Sequence, residues 1–173
     1  MGTSTSLNTE ILARGRRVLR LESEAIAEAE SRLGDGFVRA VEMIASAHGR
    51  VIVCGVGKSG LIGRKIAATL TSTGTPAVFL HAADSIHGDL GIVGASDVAI
   101  LISKSGESDE LLPLLDHLKR LGVQTIAITG DRESTLASHA DESLEAGGSE
   151  EACLHGLVPT ASTTVALALG DAL

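Results

Sequence analysis

Apolar residues at Leu7, Ile11, Leu12, Val18, Leu19, Ile26 and Leu33 recur at helical spacing, with Glu and Arg filling the other face, so the spacing predicts an amphipathic helix over residues 6–32. Gly34 closes it, and a shorter helix is expected over 36–47. The period then changes. "RVIVCG" (50–55) reads as a buried strand closed by glycine, "GLIGRKIAATLTSTG" (60–74) as a helix, "PAVFL" (76–80) as a strand and "DVAILIS" (97–103) as another. A helix over 107–122, a strand over 123–129, a short helix over 133–140, a strand over 141–146 and a last helix over 160–173 complete the pattern.

Strands that are apolar at consecutive positions, alternating with helices, predict an α/β sandwich in which helices cover both faces of a parallel sheet. Ligands of such sheets sit beyond the carboxyl ends of the strands. The segments that follow the strands are "GVGKSG", "HAADSIHGDL", "SKSGES" and "TGDRES", and candidate chemistry belongs there. The chain has no internal repeat, low-complexity tract or long linker, and its 173 residues fit one domain, an N-terminal helix over 1–33 followed by the sandwich over 34–173.

Composition narrows the partners. With no Trp or Tyr, two Phe and a formal net charge of −8, the chain lacks both the stacking platforms and the cationic surface of a nucleic-acid binder. No signal-peptide core opens it and no apolar run reaches the roughly 20 residues of a membrane span, so a soluble, cytoplasmic protein without membrane contact is expected. Cys54 and Cys153 read as reduced thiols taken up in packing.

The stretch "VIVCGVGKSGLIGRK" (51–65) carries two phosphate-loop patterns, and each fails at a residue. Gly55, Gly57 and Gly60 satisfy the dinucleotide spacing, but the second strand ends in Phe79, Leu80 and His81 where a ribose-binding carboxylate belongs. The triphosphate loop would need glycine where Ile52 stands. What survives is the physics common to both: a tight turn, then free N–H groups at a helix start that attract an anion, with the Ser59 hydroxyl and the Lys58 charge beside them. The segment "SKSGES" repeats that logic, since Ser103, Ser105 and Ser108 crowd Gly106 ahead of a helix; one N-cap needs only one serine. Two such turns make a phosphate cradle of hydroxyls and amides that needs no metal.

With "GVGKSGLIGRKIAATLTSTGTP", "IHGDLG", "SKSGES" and "EAC" followed by "GLVPTASTT", the chain resembles the SIS (sugar isomerase) domain family from about residue 10 onward, and within it the D-arabinose 5-phosphate isomerases of the Kdo pathway that feeds lipopolysaccharide synthesis. The resemblance implies a flavodoxin-like, three-layer α/β/α sandwich with a five-stranded parallel sheet, assembled as a homodimer or homotetramer. It implies a cofactor-independent interconversion of D-ribulose 5-phosphate and D-arabinose 5-phosphate, with a sugar phosphate as the small-molecule partner. Carried over by residue, the phosphate falls to Ser59, Ser103, Ser105 and Ser108, with Ser162 and Thr163 as further contacts. The reactive end of the sugar falls near Lys58, His87, Glu110 and Glu151.

Three departures bear on this. The resemblance places a further active-site histidine, and then a pair of CBS domains, beyond residue 173. The family commonly has asparagine where this chain has Lys104, which adds a positive charge beside the cradle. Where it commonly has proline-leucine, this chain has Leu154 and His155, so His155 is a candidate substitute for that histidine. His87 and Glu151 are both candidate proton carriers, Lys58 a candidate for the enediolate charge. His48, His117 and His139 have no partners at metal-ligand spacing, so no metal is expected. A non-catalytic sugar-phosphate or nucleotide-sugar sensor, and an isomerase of a hexulose phosphate, remain as alternatives.

Overall fold

The computed structural model describes residues 2–86, 88–147, 150–153 and 155–173, without the side chains of residues 2–6 and 86. Helix α1 (Gly2–Ser31) and α2 (Asp35–Ser46) precede five strands, β1 (Val51–Gly55), β2 (Ala77–His81), β3 (Val98–Ser103), β4 (Gln124–Thr129) and β5 (Glu142–Glu145). The strands pair in parallel throughout, in the order β2-β1-β3-β4-β5. Between them run α3 (Gly57–Ser72), α4 (Ala82–Ile86), a 3-10 turn (Asp89–Ile92), α5 (Leu111–Arg120) and α6 (Thr135–His139), and α7 (Ala161–Ala172) closes the chain. The α/β sandwich expected from the pattern is the one observed.

The strands are legible because both faces are covered: every residue of β1 and β3 is buried, which requires a continuous apolar run rather than alternation. Residues of opposite parity then serve opposite faces. Val51, Val53, Ile100, Ile102, Ile126 and Ile128 pack with α1, α2, α3 and α7, while Ile52, Cys54, Ala99, Leu101 and Ala127 pack with α5 and α6. Helix α5 presents Leu111, Leu114, Leu115 and Leu118, spaced as one helical stripe and all buried. His117, Lys119 and Arg120 in its last turn complement the negative end of its dipole.

Helix α3, which leaves β1, therefore lies on one face, and α5, which leaves β3, lies on the other. These two strands are neighbours, so the chain departs from them in opposite directions and opens a crevice at their carboxyl ends.

Several boundaries differ from expectation. Helix α3 starts at Gly57 instead of residue 60, because Gly57 takes φ +59 and turns the chain into the helix at once; Lys58 and Ser59 thus sit in its first turn. Helix α5 starts at Leu111 instead of residue 107, because the preceding residues close a turn of their own in which Gly106 has φ +68. Residues 82–86 and 89–92, for which no element is expected, hold α4 and the 3-10 turn.

Candidate active site

At the mouth of that crevice Ser59, Ser103, Lys104, Ser162 and Thr163 line one narrow cleft, floored by Ile62, Ile102 and Ile128. Two strand-end turns and the start of α7 thus converge. Ser59 arrives in the first turn of α3, which leaves β1, Ser103 is the last residue of β3, and Ser162 and Thr163 lie in the first turn of α7.

The serine turn is held rigidly. The Gly106 amide donates to Ser103 Oγ at 3.1 Å, and the Ser103 and Ser108 hydroxyls share a hydrogen bond of 2.7 Å. The Glu107 amide donates to Ser105 Oγ at 3.2 Å. From outside, Leu136 N donates to Gly106 O and Gly130 N to Lys104 O, each at 3.0 Å. The Glu107 carboxylate leaves the turn to accept from Thr135 N at the start of α6, at 2.6 Å. This explains why it takes no part in starting α5.

Bonded to Lys104 of the serine turn is Glu151, only 5% exposed. Its Oε2 accepts from Thr160 N at 2.7 Å, Thr160 Oγ1 at 2.9 Å and Ser162 N at 3.4 Å, so the carboxylate caps the positive end of α7. Its Oε1 accepts from the Ser162 hydroxyl and, at 2.7 Å, from Lys104 Nζ. Burial pushes the Glu151 carboxyl up, but the hydrogen bonds from Lys104, Ser162 and Thr160 outweigh it and bring the group to about 2. The carboxylate is ionised at any physiological pH.

Not every expected residue faces this cleft. Ser105 is exposed on the turn and Ser108 is half-buried behind it. Lys58 projects from the first turn of α3 with an exposed side chain, and Glu110 is half-buried directly before α5; neither lines the cleft. The Ser162 hydroxyl is engaged by Glu151 and that of Thr163 donates to Thr160 O at 2.8 Å, so both are committed within the protein. His87 lies outside the described residues. His155 is exposed in the loop before α7.

The cysteines diverge. Cys54 is fully buried in β1, and burial pushes its thiol up to about 12. Cys153 is half-buried, apart from either core cluster, and the backbone N–H groups of His155, Val158, Leu157 and Gly156 lower its thiol.

Sequence reading missed two parts of this arrangement. Thr160 clamps the carboxylate and carried no signal; Lys104 was noted for its charge, yet nothing in the spacing pointed to a partner 47 positions away. Among the described residues no three His, Cys, Asp or Glu side chains are grouped to hold a metal ion, and no helix is long and apolar enough to cross a membrane. Chemically, the cleft offers hydroxyl donors and one half-exposed cation, Lys104, which connects it to the buried Glu151 carboxylate, a set suited to holding a phosphomonoester while a proton moves.

The sequence profile of the SIS domain family matches residues 43–173. Arabinose 5-phosphate isomerase KdsD of Pseudomonas aeruginosa is 47% identical over 168 residues, covering 97% of this chain and 52% of that protein. Arabinose 5-phosphate isomerase KdsD of Escherichia coli K12 is 50% identical over 159 residues, covering 92% and 48%. The chain spans about half the length of these relatives. Among solved structures, that of E. coli CFT073 c3406 in complex with arabinose 5-phosphate superposes with a TM-score of 0.91 at 42% identity, covering 95% of this chain and 88% of that one.

Proposed function

The chain belongs to the SIS domain family, and from that membership we propose that it is a cofactor-independent aldose–ketose isomerase interconverting D-arabinose 5-phosphate and D-ribulose 5-phosphate through an enediolate. The observation that carries the proposal is one cleft in which the hydroxyls of Ser59 and Ser103 meet Lys104 and Ser162, both bonded to the buried, ionised Glu151.

In this reading the phosphate rests on the hydroxyls and amides of Ser59 and of the Ser103–Ser108 turn. Amides at a helix start and neutral hydroxyls bind a dianion without cancelling its charge. The sugar then extends toward Glu151. Going from aldose to ketose, a base takes the proton from C2, the electron pair forms the C1–C2 double bond of the enediolate, and a proton returns to C1 while the C2 oxygen becomes the carbonyl. Glu151 takes the proton from C2 and returns it to C1, His87 and Glu110 carry the hydroxyl proton from the C2 oxygen to the C1 oxygen, and Lys58 offsets the negative charge of the enediolate. The relatives' names and the arabinose 5-phosphate of the solved complex support the pentose phosphate as substrate.

Self-association belongs to the same reading. On α1, Leu12, Leu19 and Ile26 recur every seven residues and are 57%, 71% and 39% exposed, the seam of a helix that packs against a second copy. A reaction on a phosphorylated sugar supports a cytoplasmic location.

The test is isotopic. Incubated with D-ribulose 5-phosphate in deuterated buffer, the protein is expected to incorporate deuterium at the carbon next to the carbonyl while D-arabinose 5-phosphate accumulates, both followed by NMR. A phosphosugar that binds but neither exchanges nor converts would overturn the isomerase and leave a sensor.

A further inference from the structure

Lys104 is the only charged side chain lining the cleft among the described residues. Its backbone is pinned, since its carbonyl accepts from Gly130 N at 3.0 Å and its neighbours Ser103 and Ser105 both engage the turn. Its side chain is not: it is 52% exposed and its ammonium ion-pairs with Glu151 at 2.7 Å, whose own side chain is 4% exposed. A carboxylate presents about four lone-pair sites. Thr160 N, Thr160 Oγ1 and Ser162 N converge on Oε2 and the Ser162 hydroxyl donates to Oε1, so the carboxylate stays hydrogen-bonded when the ammonium departs and only the site it leaves on Oε1 opens. Of all the donors on Glu151, Lys104 alone sits on a long, half-exposed arm.

A phosphomonoester in the serine turn would bring up to two negative charges to the loop that carries this arm. We propose that Lys104 is a substrate-operated latch, its ammonium passing from Glu151 to the phosphate of the bound sugar and so freeing the carboxylate to accept a proton. The inference rests on the phosphate reading of the cleft and deepens it. It also resolves a tension, since a carboxylate held by a full set of donors and a cation is a weak base, whereas the same carboxylate relieved of its cation is a stronger one. The latch makes that strengthening conditional on a phosphorylated substrate: an unphosphorylated pentose would leave the cation on Glu151.

Linkage supplies the test, because a phosphate that draws Lys104 off Glu151 must bind more tightly once Glu151 no longer competes. Inorganic phosphate is titrated by 31P NMR into the wild type, Lys104→Asn, Glu151→Gln and the double variant at fixed pH and salt. Glu151→Gln is expected to tighten phosphate about tenfold when Lys104 is present and to leave it nearly unchanged in the Lys104→Asn background. Equal tightening in both backgrounds means simple charge repulsion by Glu151 and overturns the latch. Because Glu151→Gln could disturb the loop before α7, the comparison of Lys104→Asn with Lys104→Arg stands alone: the first is expected to weaken phosphate about tenfold, the second to hold it within about threefold. Unchanged binding in Lys104→Asn overturns the latch as well. If phosphate binds the wild type and Ser105→Ala weakens it while the Lys104 variants do not, the cradle stands and only the latch falls; if phosphate does not bind at all, both fall.

Discussion

Glu151 has two occupations that pull in one direction. As the cap of α7 it satisfies the amides of Thr160 and Ser162, and as a buried anion it depends on those same donors for its charge. Its folded value of about 2 lies below the ordinary 4.5, so the unfolded chain takes up the proton first as the pH falls. The stability this contributes is complete above about pH 4.5 and is lost as the pH drops toward about 2. Urea titrations of the wild type and Glu151→Gln are therefore expected to diverge in slope between pH 5 and pH 2, the wild type losing on the order of 3 kcal/mol more than the variant. Parallel curves would mean that the carboxylate is not held in this way. The thiols give a second check at this scale. A thiol reagent at neutral pH is expected to modify Cys153 rapidly and Cys54 only on unfolding, as read by mass spectrometry of the two peptides. Of the residues named from sequence alone, Ser59 and Ser103 were legible because a strand end fixes where the next side chain goes. The Lys104–Glu151 pair was not, since it depends on how two loops leave different strands.

Among the elements, the strands announced themselves and the turns did not. An apolar run of five or six residues buried on both faces has one reading, whereas the start of a helix depends on competing local hydrogen bonds. Residues 103–108 illustrate this: three serines, one glycine and a glutamate spend their bonding on the turn and on α6, and α5 begins only afterward. Gly106 is the hinge of that turn. It combines φ +68 with the close approach of the Ser134 side chain, where an added Cβ would overlap. Gly106→Ala is expected to destabilise the protein by about 3 kcal/mol in denaturant unfolding. It should also weaken phosphate binding, because the Ser103 and Ser108 hydroxyls lose their register. A variant of unchanged stability would show that the turn tolerates rearrangement.

For the molecule as a whole, the parallel order of the sheet and the position of its ligand crevice followed from the alternation of strand and helix, while the extent of α1 exceeded its periodicity. The helix runs 30 residues, and residues 7–17 are exposed throughout, so its first half buries little against the sandwich it precedes, and the Arg17–Glu150 ion pair that ties it there is itself solvent-exposed. An unsupported helix of that length is marginal in water. Leu19→Glu places a charge in the middle of the exposed seam and is expected to shift sedimentation toward a lighter species, with the circular dichroism of the sandwich retained. An unaltered sedimentation profile would locate self-association elsewhere.

The crevice between β1 and β3 has an evolutionary corollary. It arises from the routing of the main chain, so it persists whatever side chains border it, and Ser59, Ser103, Ser162 and Thr163 at its edge belong to neither hydrophobic cluster. A lineage can therefore exchange them and inherit a new substrate preference at small thermodynamic penalty, which makes this rim, rather than the interior, the place to retool the protein for a different phosphorylated metabolite.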